Sequence, residues 1–155
     1  MGTNIVQRSD GGMAFVEDDT ASEIFKVGGT GAANMKIAKV ALTATASTSG
    51  GAILSWANPE NSAIIIDRLE LDITTKSTGA ANGSFGVAAN GTTSSANLID
   101  TYALGGTEKV VNNIDDKGAN GKSVQKMTTS QFVTGTGSAT TAGLVGFAYI
   151  HYYLI

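Results

Sequence analysis

The chain has 155 residues, a formal charge of −3, 15% charged side chains and a sequence pI of about 5.0. That length fits one domain and allows a core that needs neither metal nor disulfide, while the acidic balance argues against the phosphate neutralisation that drives nucleic-acid binding. Cysteine is absent and His151 is the only histidine, which excludes disulfides and thiolate sites and leaves little for hydrolytic or metal chemistry, so a non-enzymatic protein without cofactor or metal is expected.

Met1 to Asp10 carries no basic segment followed by an apolar run, so no secretory signal is expected, and Val6 stands where a myristoylation signal needs Ser or Thr. Across residues 1–34, charges cluster at Glu17, Asp18, Asp19 and Glu23, and apolar residues come in pairs that keep no period of 2 or 3.6. The expectation is an extended N-terminal arm over 1–34. It is either a disordered tail or a segment that docks on a neighbouring subunit through Phe15, Val16, Ile24, Phe25 and Val27, becoming ordered there. About 34 residues, fully extended, reach on the order of 110 Å. Val27-Gly28-Gly29-Thr30-Gly31 reads as the hinge, since it lacks the Gly-Lys-Ser/Thr ending of a phosphate cradle.

From Met35 onward, runs rich in Val, Ile, Thr, Phe and Tyr alternate with Gly, Asn, Ser and Asp clusters, the punctuation of an antiparallel β protein. Strands are predicted at Ile37 to Ala46, Ala52 to Trp56, Ala63 to Thr75, Ser84 to Ala89, Asn97 to Tyr102 and Val110 to Ile114. Ser123 to Thr136, divisible near Thr129, and Leu144 to Ile155 complete the set. In the third run Leu69, Leu71 and Ile73 share one face and Arg68, Glu70, Asp72 and Thr74 the other, which puts one face in the core and one in water, with the charges as cross-strand partners. The last run is apolar on both faces: Val145, Phe147, Tyr149, His151 and Tyr153 on one, Leu144, Ala148, Ile150, Tyr152 and Leu154 on the other. Either it is central to the molecule's own core, or its outer face meets another subunit, with His151, Tyr152 and Tyr153 in the seam. It is too short for a membrane-spanning helix, and no membrane partner is expected.

The Asn82-Gly83, Asn90-Gly91 and Asn120-Gly121 pairs read as tight hairpin turns, and Pro59 as a bend between strands. Asp115, Asp116, Lys117 and Asn120 have a metal-like look but place Lys117 and Ala119 where calcium ligands belong, so a solvated turn is expected. His151 sits in a strand rather than on a loop, which disfavours a Ser-His-Asp triad. Trp56 and the tyrosines suit a core better than a sugar-stacking platform. The fold expected is all-β, a two-sheet antiparallel sandwich of jelly-roll type over residues 35–155.

Several stretches carry a resemblance. They are Asp72-Ile73-Thr74-Thr75-Lys76-Ser77-Thr78-Gly79-Ala80-Ala81, Gly86-Val87-Ala88-Ala89-Asn90-Gly91-Thr92-Thr93-Ser94-Ser95-Ala96-Asn97-Leu98-Ile99-Asp100, Asp116-Lys117-Gly118-Ala119-Asn120-Gly121-Lys122-Ser123 and Ala142-Gly143-Leu144-Val145-Gly146-Phe147-Ala148-Tyr149-Ile150-His151-Tyr152. From about Ala41 to the C-terminus the chain resembles small head proteins of tailed bacteriophages, of the capsid-decoration kind. The resemblance implies a homotrimer on the outer surface of the phage head, made in the host cytoplasm, that clamps major capsid protein subunits together and brings no catalytic residue. A receptor- or carbohydrate-binding module of a fibre or tail tip is the alternative, suggested by the Thr/Ser/Gly/Asn-rich loops.

Overall fold

The computed structural model describes residues 3–7, 13–17, 35–106 and 110–155. The chain divides between Ala32 and Ala33 into two compact units. In the first, β1 (Thr3–Gln7) and β2 (Met13–Glu17) pair antiparallel, Ile5 opposite Phe15 and Asn4 opposite Val16. Two of the arm residues thus lie on a strand, whereas Ile24, Phe25, Val27 and the glycine hinge fall outside the described residues.

The second unit is an antiparallel sandwich without helix among its described residues. Its strands are β3 (Lys36–Ala41), β4 (Gly51–Ala57), β5 (Ile64–Thr75), β6 (Asn82–Ala88), β7 (Ile99–Ala103), β8 (Val110–Asn112), β9 (Gln125–Met127), β10 (Phe132–Gly137) and β11 (Val145–Leu154). One sheet runs β4-β10-β6-β7; the other runs β3-β11-β5-β8, with the short β9 also on β5. Most successive strands alternate between sheets, as in a jelly roll. The predicted run Ser123 to Thr136 does split, and its halves β9 and β10 go to different sheets through a turn closed by Gln131 N–H on Thr128 O and Thr128 N–H on Gln131 Oε1.

The inner faces supply one apolar cluster, with Ile53, Leu54, Phe85, Val87, Ile99 and Val133 from one sheet meeting Ile64, Ile66, Leu69, Leu71, Val111, Met127 and Ile150 from the other. Burying each large side chain contributes about 1.5–3 kcal/mol. The alternation of Leu69, Leu71 and Ile73 holds, but Ile64 and Ile66 are also buried, which an unbroken period of two forbids. The register resolves it: Tyr152 faces Ile66 while His151 faces Arg68, so a bulge at Asp67 resets the phase and keeps both apolar sets inside.

The reading of the Asn-Gly pairs as tight hairpin turns holds in part: Asn90-Gly91 and Asn120 do lie in turns, with Asn90 Oδ1 accepting the N–H groups of Thr92 and Thr93 at 3.1 and 3.0 Å, but none of the pairs forms a two-residue hairpin. Asn82-Gly83 opens strand β6, and none of the three pairs has a positive φ; the described residues that do are Gly50, Gly118, Gly143 and Thr101. Asn82-Gly83 follows the crossing from β5 to β6 between sheets, and the other two pairs sit in the β6–β7 and β8–β9 connections, which stay within one sheet but are far longer than two residues. Gly83 is needed for room, since a Cβ there would lie 2.8 Å from the ring of Phe85 and 3.0 Å from Leu104.

One buried polar residue ties the sheet to a loop. Asn113 accepts Leu69 N–H through Oδ1 at 2.7 Å and donates through Nδ2 to Lys122 O at 3.0 Å and Ser123 O at 2.8 Å. A buried group that loses its partner costs about 1–3 kcal/mol. Asn113→Ala, which orphans three, should lower the unfolding free energy in urea by roughly 2–4 kcal/mol; a loss below about 1 kcal/mol would contradict this role.

Candidate functional site

The two outer sheet faces differ in how they are covered. On the β4-β10-β6-β7 sheet, Thr134 points away from the core beside Val133, yet it is buried, because its Oγ1 donates to Thr93 O at 2.9 Å. The 90–97 segment is fastened there by Ser95 Oγ on Val87 O (2.9 Å), by Val87 N–H on Asn97 Oδ1 (2.7 Å) and by Ser94 Oγ with Thr136 Oγ1 (2.8 Å). Gly86 allows the approach: a Cβ would come within 2.6 Å of Ser95 Oγ. What stays open is a groove of about 400 Å³ lined by hydroxyl and amide side chains, among them Ser84, Ser94, Thr101, Thr136, Ser138 and Asn82. Thr101 holds φ at 61°, a conformation a β-branched residue rarely adopts.

The outer face of β3-β11-β5-β8 has no such loop fastened over it among the described residues. Its centre is the odd-numbered face of β11, where Phe147, Tyr149, His151 and Tyr153 are half-buried and Val145 is 51% exposed. The register sets two rows across the sheet: Lys39, Tyr149, Glu70 and Asn112, then Ala41, Phe147, Asp72 and Val110. Ile37 is 59% exposed on one flank and Val110 62% on the other. Lys39 Nζ lies 3.9 Å over the Phe147 ring and 5.5 Å from that of Tyr149, a cation–π placement. The charges of β5 pair along the strand as well as across it: Arg68 donates to Glu70 Oε1 at 3.2 Å, and His151 Nε2 lies 3.3 Å from Glu70 Oε2.

Of the three predicted seam residues, His151 and Tyr153 lie on this outer face. Tyr152 turns inward instead, 6% exposed, its ring centroid 5.3 Å from that of Trp56. Its hydroxyl donates to Glu60 Oε1 at 3.0 Å, which also takes Lys36 Nζ at 2.7 Å. The Lys36 hydrogen bond holds the Glu60 carboxyl below its ordinary range, and desolvation raises the Tyr152 phenol. Val145 lies on the face of the last strand that the sequence offers to another subunit, whereas the exposure of Ile37 and Val110 on the flanking strands has no such sign in the sequence.

The acidic loop fits the turn reading. Asn112 Oδ1 accepts the N–H groups of Ile114 and Asp115 at 2.8 and 3.0 Å, and the Asp115 and Asp116 carboxylates bond back to Asn112. Asp100 is bound by Thr101 Oγ1 and Asn120 Nδ2, which hold its carboxyl below the ordinary range. No group of three metal-ligating side chains converges among the described residues.

The chain matches no protein-family model, no curated protein and no solved structure.

Because the Glu60 carboxyl is lowered on folding, its contribution is present above its ordinary 4.5 and fades as pH falls through the lowered folded value. Glu60→Gln should therefore have a lower Tm than the parent at pH 7, with the two melting curves converging as pH drops below about 4. A constant gap across that range would contradict the linkage.

Proposed function

We propose that the protein is a structural component of a tailed-bacteriophage particle, a head decoration protein that self-associates as a homotrimer and binds the lattice of the major capsid protein, performing no chemical step. The observation that carries this reading is the outward face of β3-β11-β5-β8, whose rings and exposed aliphatic side chains suit burial against protein. The phage-like phrasing of the sequence from Ala41 onward supports the particular setting. Avidity on a repeating lattice lets a modest interface, used many times, brace a shell. Residues 1–34 add reach toward a neighbouring subunit.

Heads prepared without the protein should bind it and then resist thermal disruption to a higher temperature. Equal stability with and without it, and no bound protein in sedimented heads, would refute the reading. Deletion of residues 1–34 should leave the sandwich folded and weaken head binding; unchanged affinity would make that segment a passive tail.

The hydroxyl-lined groove favours a second reading, a receptor- or carbohydrate-binding module of a fibre or tail tip. That reading requires binding on a glycan array and antibody label over the tail. A silent array with label over the head rejects it.

A further inference from the structure

The outer face of β3-β11-β5-β8 carries two opposite charges that the described residues leave unpaired. Arg68, Glu70 and His151 satisfy one another within the molecule. Lys39 rests on aromatic rings, with no carboxylate paired to it among the described residues, and Asp72 likewise has no paired cation among them. They stand on opposite flanks of the aromatic strand: β3 and β5 are both neighbours of β11, so the two backbones are separated by about two strand spacings, roughly 10 Å.

We propose that this face is the docking surface for a second copy of the chain, with the β3 flank of one copy laid on the β5 flank of the next so that Lys39 meets Asp72. The inference rests on the self-association proposed above and specifies its surface. Three features favour a like chain as occupant. Each flank offers the charge the other lacks, so the face is complementary to itself when unlike flanks meet, whereas like flanks would set Lys39 against Lys39. Apolar exposure spans the width of the face, from Ile37 through Val145 to Val110, so the charges lie beside surface that gains from leaving water. The ring of Phe147 already holds the Lys39 ammonium at 3.9 Å, which limits the freedom lost when a carboxylate arrives.

The test is a charge exchange in the full chain, read as mass against concentration by light scattering and native mass spectrometry. The parent should be multimeric. Lys39→Asp and Asp72→Lys should each raise the dissociation concentration on the order of tenfold or more. The double variant, with the charges exchanged, should return to near the parent. Circular dichroism and Tm should show the singles folded, since neither side chain is part of the core cluster; should one not fold, the milder Lys39→Gln and Asp72→Asn carry the same expectation. Singles that assemble like the parent, or a double variant no better than the singles, overturn the proposal while leaving the decoration role standing. Rescue by exchange in a protein that binds no heads supports this surface and refutes that role. A parent chain monomeric at every concentration overturns the self-association and this inference together.

Discussion

The pairing of β5 with β11 is the constraint on which the rest of the sandwich depends. Ten residues of β11 find partners along β5, and both strands send apolar side chains inward, Leu69, Leu71 and Ile73 beside Ala148, Ile150 and Tyr152. The pair also holds the edge strands β3, β8 and β9, so every element of that sheet is positioned by it. The bulge at Asp67 is the local adjustment that lets one long strand keep two apolar sets in a single core. An alternating strand that buries one face must present the other, and in β11 the presented face is aromatic.

The two sheets handle their outer faces differently. Apart from Phe132, the β4-β10-β6-β7 sheet carries mostly small residues outward, and the 90–97 segment folds over it through hydrogen bonds to Val87, Thr134 and Thr136. That closure uses the protein's own chain. The β3-β11-β5-β8 sheet carries rings, Ile37 and Val110 outward, with Lys39 and Asp72 on opposite flanks. Surface of that composition is what protein interfaces are built from: aromatic at the centre, charged toward the rim.

Much of this was legible in the sequence, since the strand content, the alternation of β5 and the two-sided β11 all follow from period-two patterning. The bulge left a trace, two adjacent polar residues, Asp67 and Arg68, between apolar runs, which a search for unbroken alternation passes over. Of the Asn-Gly pairs only Asn82-Gly83 misled about its conformation, having a turn's composition and a strand's backbone; the other two mark turns, within connections too long for tight hairpins. Tyr152 and Tyr153 are neighbours in sequence and face opposite sides, so they had to have different roles. The relation of Lys39 to Asp72 was beyond reach, because 33 positions separate them in the chain and only the β3-β11-β5 register sets them on either side of β11, opposite Tyr149 and Phe147 respectively.

The central claim is that protein covers the outer face of the five-stranded sheet when the molecule is at work. An electron cryo-microscopy reconstruction of the phage particle proposed to carry it, at a resolution that traces this chain, tests it most directly. The account predicts density of a neighbouring chain packed across Ile37, Phe147 and Val145. That face open to solvent in every copy would contradict it.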